Sequence, residues 1–431
     1  MNLPFAKPLE PVEDSGDVPE GFPENHGTAL VGRDPAPLVE IGIHRTSANE
    51  EELDRLAGWL EEAERPVLVA GVASEPARIG SALTRFAAAA GVPLLADPLS
   101  GARAGPGHGS ARITAYDLFL RSAEVRRTLE PDLVIRVGAG PTSAALLRWL
   151  SRHGSGRQVV VDGGGRWKDH QNTATNYLQA DPAETLRALL PRIRRPSPAA
   201  WRHRWETVDR ATAKAAASAV GPSHEGQVAE AVMRGVDSDD VLFVSNSMPI
   251  RDVDAFGGER GDGLLLLGNR GASGIDGIVS TAAGVAAGAG RRTVVLLGDL
   301  AFLHDANGLL AVREAGVELG LVVVNNDGGG IFHMLPIREH DPPFTRLFAT
   351  PHGLDLSHLA RLHGLPHTRV EGAAGVREAL SRHQVGGGSF MVEVITDREA
   401  NRVGHQAAFS AAESAALEAL EKLESDDSGE M

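Results

Sequence analysis

Aliphatic and β-branched runs alternate along this chain with stretches of helical period. From Glu50 to Ala63 the apolar positions Leu53, Leu56, Ala57 and Leu60 recur on one helical face. Pro66 then opens the run VLVAG, and a second helical pattern covers Arg78–Ala90. VPLLAD, DLVIRVG (Asp132–Gly138) and QVVVDGG (Gln158–Gly164) repeat the strand signature. Strands that are apolar on both faces belong to parallel sheets covered on both sides. RIRRPSPAA near Arg195 reads as a linker, and a helix over Trp201–Ala219 leads into a second series. Its strands are VLFVS (Val241–Ser245), LLLLG (Leu264–Gly268), TVVLLGD (Thr293–Asp299), LGLVVVN and SFMVEVIT (Ser389–Thr396). A small-residue helix between Gly277 and Gly290 and another over Gly308–Ala315 connect them.

The predicted class is therefore α/β, with two doubly wound parallel-sheet domains. The expected partition is an extended Pro/Gly/Glu-rich linker over 1–40, a central domain over 41–195 and a linker helix over 196–222. A second domain follows over 223–400, then a C-terminal helix fading into a disordered acidic tail over 401–431. VLVAGVASEPARIG lacks a G-x-G-x-x-G fingerprint, so no dinucleotide is expected on the first domain.

Composition narrows the function classes. A formal charge of −15 opposes nonspecific binding to nucleic acid. No apolar run reaches the length of a membrane span, and the prolines in MNLPFAKPLEP do not suit a signal peptide; a cytoplasmic location is expected. With no cysteine, thiolate catalysis and zinc–thiolate sites are excluded. Only four of the 42 basic residues are lysine, which fits either a high-salt habitat or a G·C-rich genome.

The chemistry concentrates where strands end. In a right-handed βαβ unit both parallel strands finish on one edge of the sheet, where ligands bind. Asp299 is expected to end one strand and Asn326 to end the next, 27 residues later, with one helix between them. A carboxylate and an amide oxygen side by side suit Mg²⁺, which also keeps phosphate oxygens and water. Gly328, Gly329 and Gly330 let the backbone approach a phosphate and offer a carbonyl as a further ligand. Either residue alone could be a helix cap or a loop start; the joint spacing favours a metal–diphosphate cradle.

GDLAFLHDANGLL followed by VVVNNDGGGIF resembles the GDG…N signature of thiamine-diphosphate enzymes, with Leu300 in place of the glycine after Gly298-Asp299. SNSMPIRDVD (Ser245–Asp254) and GNRGASGIDGIVSTAAGVAAG (Gly268–Gly288) are similar to one family in particular, MenD, the 2-succinyl-5-enolpyruvyl-6-hydroxy-3-cyclohexene-1-carboxylate synthases of menaquinone biosynthesis.

The resemblance implies thiamine diphosphate with Mg²⁺ or Mn²⁺ on Asp299, Asn326 and the Gly328 carbonyl. It places Gly274 and Ile275 against the aminopyrimidine, and Gly298, Leu300, Gly329, Gly330 and Ile331 around the cofactor. Arg251 and Arg270 match arginines that grip substrate carboxylates, Asn246 and Ser247 match polar residues at the reaction centre, and Phe332 and Leu335 match an apolar wall. The implied substrates are 2-oxoglutarate and isochorismate, and the implied activity is that of a carboligase transferase.

Two departures stand out. The resemblance implies a pyrimidine-binding domain bearing an activating glutamate, often across a subunit interface, and the 431 residues hold none. Glu10, Glu13, Glu20 and Glu24 are poor replacements, so the lone chain is expected to be inactive. It would need a longer protein or a separate chain carrying that domain, and a site shared between subunits implies a homo-oligomer, a dimer or a tetramer. Ala144 or Ala145 also stands where a basic residue is common. Another thiamine-diphosphate enzyme of the acetolactate synthase or decarboxylase type, or a non-catalytic subunit, stays open as an alternative.

Overall fold

The computed structural model describes residues 10, 16, 18–33, 36–42, 44–106, 112–152, 156–165, 167–169 and 171–429. MNLPFAKPL and Glu13, from the expected linker, lie outside them. The chain divides into two units, Met1–Arg45 and Thr46–Met431.

In the first unit, the segment expected to be extended holds a helix at Phe22–Val31 and an antiparallel bridge from Arg33 to Ala36. Pro23 in the first turn pre-sets helical φ, and the Phe22 ring meets His26 at 4.7 Å. None of the helix is buried, so no apolar stripe announced it.

The second unit carries two six-stranded sheets, all parallel, as the apolar runs predicted. The first contains β1 (Pro66–Ala70), β2 (Leu94–Ala96), β3 (Arg112–Ile113), β4 (Leu133–Val137), β5 (Arg157–Val161) and β6 (Asn176–Leu178), in the order β3-β2-β1-β4-β5-β6. The second contains β7 (Val241–Val244), β8 (Leu265–Leu267), β9 (Thr293–Gly298), β10 (Leu319–Asn325), β11 (His367–Val370) and β12 (Phe390–Ile395). Their order is β11-β12-β10-β9-β7-β8. Among the described residues no helix is long and apolar enough to cross a membrane.

Each sheet has a point between two neighbouring strands from which the chain continues to opposite sides, and ligands favour such points. In the first sheet it lies between β1 and β4, and the two loops there fill it. Ala139 N–H donates to the Val72 carbonyl at 2.9 Å. A Cβ on Gly71 would lie 1.8 Å from the Ala139 carbonyl oxygen, so only glycine fits. In the second sheet it lies between β7 and β9, and there the crevice stays open.

The long helix Ala199–Ser218 packs against the C-terminal helix and sets Trp205 edge to face on Phe119 and Trp149, with Trp201 edge to face on Trp205 itself. The C-terminal helix runs from Arg398 to Gly429, longer at both ends than the tail pattern suggested. Ala408, Ala412, Ala416, Ala419 and Leu420 form the buried stripe that holds it. Arg103, fully buried, ties the first sheet to the second. Its Nη2 donates to Asp254 Oδ1 at 2.7 Å and its Nε to the Ala96 carbonyl at 2.8 Å, and Tyr116 Oη also donates to Asp254 Oδ1, at 2.6 Å.

On the neighbouring helix, half-buried Asp209 accepts from the Thr114 and Ala115 N–H groups through Oδ1 alone, at 2.8 and 2.7 Å. Burial pushes its carboxyl up to about 6. An acid with a raised folded pKa weakens the fold when ionised, above pH about 6, and that penalty fades as pH falls toward the unfolded value near 4. Asp209→Asn keeps the oxygen both donors use. It is expected to stabilise the protein by about 1–2 kcal/mol at pH 7.5, after allowance for solvent screening, and by little near pH 4. Urea unfolding at the two pH values checks this.

Candidate active site at the open edge of the second sheet

The open crevice is a cavity of about 400 Å³. The C-terminal ends of β7, β9 and β10 reach it together, because β9 pairs with both of the others. Its lining includes Asn246, Ser247, Arg251, Arg270, Gly274, Ile275, Gly298, Asp299, Leu300, Asn326, the triplet Gly328–Gly330, Ile331 and Phe332. Of the site residues singled out from the sequence, Leu335 alone stands outside this lining; its side chain is largely exposed. Ala144 and Ala145 sit in the first turn of the helix Ala144–Leu150, and neither borders the cavity.

β9 delivers Asp299 as the first residue of a short helix, Asp299–His304. The connection to β10 is two helices, not the single one expected. It breaks at Asp305, whose carboxylate accepts from Ser280 N–H and Oγ before the helix Gly308–Ala315 begins. Asp299 is 2% exposed. Its Oδ1 accepts from Leu300 N–H at 2.6 Å, and its Oδ2 from Gly328 N–H at 2.8 Å and from His352 Nε2 at 3.2 Å. The Leu354 N–H donates to His352 Nδ1 at 3.0 Å, which leaves the ring proton on Nε2 to face Asp299. Burial raises the Asp299 carboxyl above its ordinary value, and these donors oppose that rise.

Asn326 follows β10. Its Nδ2 donates to Glu225 Oε1 at 2.8 Å, while its Oδ1 is buried with no partner. A buried acceptor left unpaired costs about 1–3 kcal/mol, and such an atom beside a buried carboxylate fits a cation. Gly328 has φ +135, and a Cβ there would lie 2.1 Å from the Ala349 carbonyl oxygen. The backbone therefore passes where no side chain can. Among the described residues no three His, Cys, Asp or Glu side chains gather as a metal cage. The oxygens that line the cavity instead include the Asp299 carboxylate and the Asn326 amide oxygen, types that suit a hard cation keeping phosphate and water ligands.

The opposite wall comes from the end of β7. Ser247 adopts φ 70, ψ −131, a strained conformation for a residue with a side chain, of the kind that concentrates at functional sites. Asn246 is consumed as scaffold. Its Nδ2 donates to the Asn269 and Gly274 carbonyls, both at 2.7 Å, and its Oδ1 accepts from Arg270 Nη1 at 2.8 Å. Arg251 Nη1 donates to the Ser247 carbonyl. No carboxylate among the described residues forms an ion pair with Arg251 or Arg270. Phe332 packs edge to face on Phe348 at 5.7 Å.

His352 and Glu225 were not singled out in the sequence. His352 lies in the loop PHG, far from either strand end, and Glu225 opens a helix in SHEGQ. Neither carries a motif; the sheet edge alone brings them to the metal-type donors.

Comparison with known proteins agrees with this geometry. Residues 41–244 match the middle domain of thiamine pyrophosphate enzymes, and residues 266–394 match the C-terminal TPP-binding domain. A 2-succinyl-5-enolpyruvyl-6-hydroxy-3-cyclohexene-1-carboxylate synthase from Halobacterium salinarum is 44% identical over 416 residues, covering 93% of this chain and 68% of the relative. Synthases of the same name from Haloquadratum walsbyi, 37% identical over 93% of this chain and 70% of the relative, and from Chloroflexus aurantiacus, 37% identical over 94% and 68%, are similarly related. With relatives of that identity matched over more than nine tenths of its length, the chain belongs to the 2-succinyl-5-enolpyruvyl-6-hydroxy-3-cyclohexene-1-carboxylate synthase (MenD) family of thiamine-diphosphate-dependent enzymes.

Proposed function

We propose that this chain forms the diphosphate- and substrate-binding part of a menaquinone-pathway carboligase in the cytoplasm. In this reading it decarboxylates 2-oxoglutarate and joins the remaining four-carbon unit to isochorismate. Asp299, Asn326 and the Gly328 carbonyl hold Mg²⁺ or Mn²⁺ beneath the diphosphate, with Gly298, Leu300, Gly329 and Gly330 closing around it. Gly274, Ile275 and Ile331 bound the cofactor's rings. Thiamine diphosphate, when bound, supplies a nucleophilic carbon and an electron sink.

The chain's own residues position and desolvate. The observation that carries the reading is the guanidinium pair: Arg251 and Arg270 line the same cavity as Asp299 and Asn326, and no carboxylate among the described residues forms an ion pair with either. Both proposed substrates are dicarboxylates, and a planar guanidinium grips a carboxylate through two donors. Ser247 offers a hydroxyl beside this pair. Asn246 acts through Arg270, holding it at a fixed angle, and Phe332 supplies apolar surface for a ring, with Leu335 at the rim. Activity also requires an activating glutamate on a pyrimidine-binding domain, carried by a longer form of this protein or by a separate chain, and a site shared between subunits calls for at least a dimer.

With that domain present, CO₂ release is expected from 2-oxoglutarate and not from pyruvate, which lacks the second carboxylate. Arg251→Met is expected to lower kcat/KM for 2-oxoglutarate by about 10- to 150-fold, the worth of one charged hydrogen bond of about 1.5–3 kcal/mol. Equal rates with both acids, or an unaffected variant, would remove the dicarboxylate reading.

A further inference from the structure

Glu225 lines the cavity but serves neither as a proposed cation ligand nor in the guanidinium pair. It opens the helix Glu225–Gly235 and is 3% exposed. Its Oε1 accepts two hydrogen bonds, from Asn326 Nδ2 at 2.8 Å and from Thr396 Oγ1 at 2.9 Å. Its own N–H donates to Asn401 Oδ1 at 3.1 Å. The end of β12, the C-terminal helix and the helix it begins thus fix its place.

The consequence falls on Asn326. An amide has one donor end and one acceptor end. With Nδ2 committed to Glu225, Oδ1 must point away, and it is the buried oxygen that lacks a partner. A flipped amide would set Oδ1 against Glu225 Oε1, two acceptors face to face, and would aim N–H groups at the cation. Gly330 makes room for this amide, since a Cβ there would lie only 2.7 Å from Nδ2. The arrangement does not depend on the charge of Glu225, because Oε1 is the acceptor for both donors and a proton has Oε2 to occupy.

We propose that Glu225 is a positioning residue that locks Asn326 with its oxygen toward a divalent cation, an inference that rests on the reading of Asn326 as a cation ligand. Residues behind metal ligands commonly change metal affinity by about 10- to 100-fold when removed. The test titrates Mg²⁺ at fixed thiamine diphosphate and follows the melting temperature of wild type, Glu225→Gln and Glu225→Leu. Glu225→Ala serves as the smaller alternative if Leu does not yield folded protein. Gln retains the acceptor oxygen; Leu and Ala do not.

Half-saturating Mg²⁺ is expected to rise at least about tenfold for Leu or Ala and to stay within about threefold of wild type for Gln. A purely structural residue would instead lower the metal-free melting temperature without moving half-saturation. That result, or a Gln variant as impaired as Leu, overturns the proposal. If wild type itself shows no Mg²⁺-dependent stabilisation, the cation reading fails first and this inference fails with it.

Discussion

Asp299→Asn is expected to abolish stabilisation by Mg²⁺ and thiamine diphosphate while changing the ligand-free protein far less. Three donors converge on the Asp299 carboxylate, from Leu300, Gly328 and His352. An amide can accept on only one side, so at least one N–H loses its partner, at about 1–3 kcal/mol. Release from a buried charge whose pKa burial already raises offsets part of that cost. The cation has no such offset. Losing the one charged ligand is expected to cost about 3–5 kcal/mol, more than about 100-fold in metal affinity. Wild type at a ligand concentration of 100 times Kd should gain about 2.7 kcal/mol, and the variant essentially none. Calorimetric unfolding with and without ligand separates the two effects.

The largest effect on the fold itself is expected at Arg103. Arg103→Met leaves Asp254 buried with no cation beside it, and breaking a buried pair from one side costs about 3–5 kcal/mol. The same change removes the hydrogen bond to the Ala96 carbonyl at the end of β2. Asp254 lies on the helix that starts just after Ser247, so the loss should also loosen the arginine wall of the cavity. Adding Asp254→Leu is expected to recover part of the stability, since the stranded charge disappears. Guanidinium unfolding midpoints of the single and double variants measure this; a single variant within about 1 kcal/mol of wild type would contradict it.

Every central strand was legible as an apolar run, because burial on both faces leaves few polar positions to confuse the pattern, Arg136, Gln158 and Glu393 among them. The strands that escaped are β3, β6 and β11, three of the four sheet edges. β3 is two residues long, β6 reads NYL, and β11 reads HTRV, with His367 and Arg369 reaching Glu393. Edge strands are kept short and polar, which hides them from a hydrophobicity pattern. The site was legible to the extent that its residues sit at strand exits, as Asp299 and Asn326 do, each one residue past its strand. Glu225 and His352 come from a helix start and a distant loop, and only the folded sheet edge makes them neighbours of those two. Asn246 shows a further limit: its polarity was visible, but its use in pinning Asn269, Gly274 and Arg270 was not.

The most direct test of the account is a crystal structure with Mn²⁺ and thiamine diphosphate, read by the anomalous signal of the metal. The account predicts one strong peak bounded by Asp299, Asn326 Oδ1 and the Gly328 carbonyl, with the diphosphate beside it. A cofactor bound elsewhere, or diphosphate in this crevice with no metal on Asp299 and Asn326, would contradict it.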